Sequence, residues 1–166
     1  MKISLEVLRR YTDLPGDPRE ARLLLDDIGV EVKRVDGDAM TVELLANRGD
    51  HHSYVGLARE IRGRTGGELR LPACEALEAG PTPWPLTLET DLCLVYTATM
   101  LERAEHGGAM SPHDLTVLES AGIHSLGVVV DSTNLSNLEL GQPTHAFDAD
   151  TLVGPVTIRV SRQAEK

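Results

Sequence analysis

The side chains best equipped for chemistry fall into two short runs. The first begins at Asp131-Ser132-Thr133-Asn134 and resumes after a leucine-spaced stretch as Gly141, Pro143, His145, Phe147 and Asp148. An imidazole exchanges a proton near neutral pH, so His145 is the candidate general base or orienting hydrogen-bond donor. The turn places it within reach of Thr133 and Asn134, and a pocket is expected there. The competing reading is structural, because a histidine two residues after a proline in a tight turn often bonds a backbone carbonyl. No serine or cysteine is marked out as an activated nucleophile, so any hydrolysis would use a water activated or positioned directly.

The second run is Asn47-Arg48-Gly49-Asp50-His51-His52. Asn47 and Asp50 ahead of a helix can satisfy its orphan N–H groups, and Arg48 can pair locally with Asp50. The sharper reading is a secondary polar site that includes both histidines. Adjacent histidines point in different directions, so they do not form a metal pair and no metal is expected.

These residues need elements to hold them. Val128, Val129 and Val130 read as a short buried strand, with Asp131 to Asn134 capping a helix that carries Leu135 and Leu138 and stops at Gly141. The second run precedes a helix with Tyr54, Leu57, Ala58 and Ile61 inward and Gly66-Gly67 at its end. Upstream, Ser4 caps a short helix, and Asp17-Pro18-Arg19-Glu20 starts another that places Ala21, Leu24, Leu25 and Ile28 on one face. Val30, Val32 and Val35 suggest a strand, Asp36-Gly37-Asp38 a turn, and Met40, Val42 and Leu44 the returning strand. Downstream, strands are expected at Leu86–Leu88, Leu94–Leu101 and Val156 to Val160. A helix is expected from Ser111-Pro112 to Gly122, with Leu115, Leu118 and Ala121 inward. The fold class is α+β: a helix-hairpin lobe over 1–67, a Pro-rich linker over 68–85 that contains Trp84, and a mixed lobe over 86–166.

Composition narrows the function. The 166 residues carry a formal net charge of −10, which opposes binding through phosphate neutralisation, and only 3% are aromatic, which opposes base stacking. Both argue against tRNA binding by this chain alone. The two cysteines lack CxxC spacing, and no signal peptide or long apolar run is present. A cytoplasmic setting, no membrane association and no cofactor are the expectations.

The run DSTNLSNLELGQPTHAFD (131–148) closely resembles a signature of the phenylalanyl-tRNA synthetase beta subunit, in the module that hydrolyses mischarged tRNA. Asn47-Arg48-Gly49-Asp50, Ser53, Gly56, Ala58, Arg59 and Glu60 resemble a second motif, in that subunit's first domain. Met1 to Glu6 and Leu25 to Val32 extend the likeness over nearly the whole chain. The resemblance implies that Thr133, Asn134, Pro143 and His145 belong to an editing pocket, with Thr133 and Asn134 holding the ammonium or carbonyl of an amino acid or aminoacyl group. The family's motif more often has a Cys-Leu pair at His51-His52. Its OB-fold insertion is missing before Asn47, its arginine-bearing strand is replaced by Val95-Tyr96-Thr97-Ala98-Thr99, and the downstream half of its pocket lies beyond Lys166. ATP-dependent activation, which belongs mainly to the alpha subunit, is not implied. The expectation is a stand-alone beta-like protein that binds, and as an enzyme hydrolyses or transfers, an aminoacyl group. The alternatives are a non-catalytic module that self-associates or joins a protein partner, and a fragment of a longer beta subunit.

Overall fold

A computed structural model gives the structure of the protein and describes residues 1–74, 80–81, 84–101 and 108–165. The chain forms two compact units, Met1–Ala73 with Gly108–Ala146 and Cys74–Gly107 with Phe147–Lys166. This differs from the division at a 68–85 linker suggested by the prolines, since helices of the expected second lobe belong to the first unit. Pro83 of that linker lies outside the described residues. The class is α+β.

In the first unit, β1 (Lys2–Ser4), β2 (Glu31–Asp36) and β3 (Ala39–Glu43) form an antiparallel sheet in the order β1-β3-β2. Ile3 lies opposite Met40 and Val32 opposite Val42, and all four are buried. The three-residue spacing of Val32 and Val35 breaks the strand alternation in the sequence. A bulge restores it: the register shifts between Val32 and Arg34, so Lys33 is the extra residue and Val35 pairs with Met40 on the same face. Lys33 then bridges Glu31 at 2.6 Å and Glu43 at 3.0 Å.

The hairpin tip anchors the first helix, α1 (Leu5–Tyr11). Ser4 caps it by accepting from Val7 N–H, and the Asp38 carboxylate accepts from Glu6 N–H at 2.6 Å and from Arg9 at 2.9 Å. A carboxylate at a helix N-terminus complements the dipole as well as the free N–H groups. The second helix, α2 (Pro18–Asp27), starts as expected, with Asp17 accepting from Arg19 N–H and Pro18 in the first turn. Its Ala21 and Leu25 are buried.

Residues 44–48 connect β3 to a 3-10 turn, Gly49–His52, which leads into α3 (Tyr54–Thr65). Tyr54, Leu57, Ala58 and Ile61 are fully buried, matching the helical spacing. Ser111 caps α4 (Pro112–Ser120), whose Val117 and Leu118 complete the same core. Tyr54 gathers three elements: its oxygen accepts from Ser4 N–H at 3.0 Å, and its hydroxyl meets Ser120 at 3.2 Å. Ser120 in turn donates to the Val117 carbonyl, so every proton in this chain of bonds has an acceptor.

The expected strand at Val128–Val130 is instead the first turn of α5 (Val128–Leu140). The reason is Asp131, a fully buried carboxylate inside the helix rather than ahead of it. It reaches back to accept from Ser125 Oγ at 2.5 Å, Leu126 N–H at 2.9 Å and Gly127 N–H at 3.4 Å. Those bonds hold the preceding loop against the start of α5, so Val128 to Val130 enter the helix and β-branched propensity gives way. Val129 and Val130 remain about half exposed, with no sheet beside them.

The second unit contains β4 (Leu86–Leu88) and β5 (Val156–Ile158), which pair in parallel, Leu86 opposite Val156. Trp84 donates from Nε1 to the Gly154 carbonyl at 2.9 Å, pinning the Pro-rich stretch to this unit. The strand expected over Leu94–Leu101 does not form. Leu94, Val95 and Leu101 are 90%, 77% and 83% exposed, and no ladder is available to them among the described residues.

Candidate functional site

The Asn47 to His52 run is held by charge and by one close approach. Arg48 donates to both carboxylate oxygens of Asp50, from Nε at 3.0 Å and from Nη2 at 2.9 Å. Its Nη2 also donates to Glu60 on α3 at 2.6 Å. The guanidinium therefore ties the 3-10 turn to the helix behind it, and the bidentate pair is a geometry that arginine suits. Bonding to Arg48 pulls the Asp50 carboxyl down to about 2 and Glu60 below its ordinary value. A Cβ on Gly56 would lie 1.8 Å from the Asp50 carbonyl oxygen, so only glycine lets α3 pass this close.

Capping falls elsewhere than expected. Ser53 accepts from Gly56 N–H at 3.1 Å and caps α3, while Asn47 is exposed and caps no helix. The local ion pair of Arg48 and Asp50 is present. Glu60, the acceptor that completes it, belongs to the same motif, and its place one turn beyond Gly56 on α3 is the signal that identifies it.

The two histidines separate. His52 is exposed, whereas His51 is fully buried with neither ring nitrogen hydrogen-bonded. Its Nε2 lies 3.7 Å from Glu60 and 3.9 Å from Asp50, beyond hydrogen-bond range, and Arg48 occupies the space between those carboxylates. Among the described residues no set of three or more His, Cys, Asp and Glu side chains is arranged to hold a metal.

The second run is built on α5 and the loop after it. Thr133 donates to the Val130 carbonyl at 2.7 Å, which leaves its oxygen as an acceptor only, and Asn134 is half-buried beside it. Gly141 ends the helix in the left-handed conformation, φ 73°, with its N–H on the Asn137 carbonyl. Ser136 Oγ donates to the Gln142 carbonyl at 3.3 Å, which ties the first residue after Gly141 to the end of α5. Ser136 and Thr133 are three apart and share one helix face. Pro143 and His145 follow in that loop, and both are exposed.

The two runs meet in the fold. A Cβ on Gly141 would stand 3.2 Å from Ser53 Oγ, so the end of α5 sits directly on the cap of α3. Two positions before Gly141, Glu139 accepts from the Tyr11 hydroxyl at 2.6 Å, and burial together with that bond raises the Tyr11 hydroxyl's pKa. Leu135 enters the core. Helical spacing alone does not reveal these bonds of Ser136 and Glu139, because Tyr11 is remote in the chain and Gln142 lies past the helix end.

Comparison of the sequence with known proteins points in one direction. A model of the B3/4 domain matches residues 92–166. A phenylalanine–tRNA ligase beta subunit from a Synechococcus species is 46% identical over 119 residues, covering 71% of this chain and 14% of that protein. The chain is a homologue of the phenylalanine–tRNA ligase beta subunit. The beta subunit of Gloeobacter violaceus is 43% identical over 136 residues, covering 80% of the chain and 17% of its own length. That of Rhodopirellula baltica is 35% identical across 100% of the chain and 26% of its own length. The beta-like chain thus spans between a seventh and about a quarter of these relatives. No helix among its described residues is long and apolar enough to cross a membrane.

Proposed function

We propose that the beta-like chain binds the aminoacyl end of an amino acid or activated aminoacyl ester on the face of α5 that carries Thr133. The single observation behind this reading is the bond from Ser136 to the Gln142 carbonyl, which ties the start of the loop carrying Pro143 and His145 to the helix face that Ser136 shares with Thr133. Thr133, its proton already given to Val130, can accept an N–H from a substrate ammonium. Asn134 can donate an amide N–H to the carbonyl oxygen, and Pro143 shapes the rim. In the hydrolytic form of the reaction, His145 takes a proton from a water that adds to the ester carbonyl. The acyl C–O bond then breaks and the proton passes to the leaving alcohol. The relatives are named as beta subunits of a tRNA ligase, so an alpha-type subunit and charged tRNA are the proposed partners of a complete assembly. The chain's charge of −10 leaves most tRNA contact to other components.

The test is ester hydrolysis by the purified chain, with tyrosine ethyl ester as the probe. His145→Ala should lower the rate by about 10²-fold or more, the scale of general-base catalysis. Unchanged turnover would remove His145 from the reaction.

A second reading is a non-catalytic assembly module. It is favoured by the second unit, where Leu92, Leu94, Leu101 and Val153 are each more than 80% exposed, an apolar surface suited to self-association or a protein partner. Light scattering separates the two: a monomer that turns over ester supports the first reading, and an inactive stable oligomer supports the second.

A further inference from the structure

The outer face of the three-stranded sheet carries a feature that the proposed aminoacyl site does not use. Strand register places Lys2, Thr41 and Arg34 in one row across β1, β3 and β2. Two residues along each of the outer-face positions, Ala39 and Asp36 occupy the next row. The central strand therefore presents small side chains between Lys2 of β1 on one edge and Arg34 and Asp36 of β2 on the other, with the buried Ser4 completing the Ala39 row. With Glu119 and Ser120 at the end of α4, these residues line a groove of about 320 Å³.

Its charges are balanced but incompletely paired. Arg34 and Asp36 meet at 3.2 Å, both well exposed. Lys2 and Glu119 have no ion pair or side-chain hydrogen bond among the described residues, although both line the same groove. Glu119 is also at the C-terminal turn of α4, where exposed carbonyls add to the negative potential. One part of the groove thus favours a cation and another an anion. A ligand bearing only one charge would leave the opposite group unanswered.

We propose that this groove binds a small zwitterion of free amino acid size, its carboxylate toward Lys2 and Arg34 and its ammonium toward Glu119. The proposal is independent of the reading for α5, since none of the residues near His145 lines the groove. Exposed ion pairs contribute about 0.2–1 kcal/mol each, so the affinity belongs in the roughly millimolar range or weaker.

The test is titration of the 15N-labelled full chain with glycine, which carries both charges and no side chain, monitored by amide resonances. Sodium acetate and methylammonium chloride at matched ionic strength supply one charge each. Glycine should shift the Thr41 and Ser120 amides saturably below about 100 mM, while neither single-charge probe saturates. Lys2→Gln and Glu119→Gln should each weaken glycine binding by about two- to five-fold, with the far-UV spectrum unchanged. An equal response to acetate would make the groove a simple anion site and overturn the proposal. So would the absence of saturation, or full glycine affinity in both variants, in which case Lys2 and Glu119 merely neutralise each other.

Discussion

In the first unit Ile3, Leu57 and Leu118 are fully removed from solvent, whereas in the second Leu94, Val95 and Val153 are 90%, 77% and 96% exposed. Every buried hydrophobic side chain among the described residues belongs to the first unit. Apolar residues are about as frequent in the second unit as in the first, so the difference is one of cover. Among the described residues the first unit has a sheet and five helices to bury one another, and the second has a single parallel strand pair, an arrangement that sheets of this kind seldom leave uncovered. Apolar residues become a core only where two layers are present to enclose them.

The strongest way to break this comparison is to truncate one side chain in each unit. Leu57→Ala should destabilise the chain by about 2–5 kcal/mol, read from the denaturant midpoint, because it empties a packed site. Leu94→Ala should change stability by less than about 0.5 kcal/mol, since it removes an already hydrated group. Equal effects would show that the second unit has a core of its own.

Gly141→Ala sharpens the role of the contact between the two motif runs. A side chain there must adopt φ 73° and press on Ser53 at 3.2 Å, so a loss of about 1–2 kcal/mol is expected in the thermal midpoint. A neutral result would mean that α5 is free to move off α3. In the opposite direction, His51→Leu should raise stability by about 1 kcal/mol, because it removes two buried nitrogens that have no partner. A clear loss would show that His51 is doing something the folded chain depends on.

The smallest effect concerns acid. Asp50, drawn from 3.8 to about 2 by Arg48, and Glu60, also lowered, bind protons more tightly in the unfolded chain. Their contribution is therefore complete above the unfolded values and fades as pH falls from about 4 to about 2. Arg48→Met should flatten the fall in melting temperature across that window, modestly, since Asp50 is about half exposed. A wild-type slope in that variant would dissociate the ion pair from acid stability.

Local signals carried much of the architecture. The Asp17-Pro18 and Ser111-Pro112 starts, the Gly141 stop and the apolar spacing from Tyr54 to Ile61 each act within a turn or two of chain, and the helices form where they indicate. The hairpin was legible too, although its bulge at Lys33 shows only once β3 is in place. The pairing of Arg48 with Asp50 was available from sequence; its second carboxylate, Glu60, required α3 to fold behind it. The valines at 128–130 misled because strand preference is a statement about cover on both sides, and Asp131 bonded the preceding loop into a helix start instead.

By itself the sequence determined the family likeness, the α+β class and the ends of most helices, all of which rest on residue types acting on near neighbours. Tertiary structure alone decided that Glu139 would hold Tyr11, that Gly141 would rest on Ser53, and that His51 would be enclosed while His52 faced water. Those outcomes join residues tens of positions apart, and no local preference encodes which of many possible partners a folded surface will bring near.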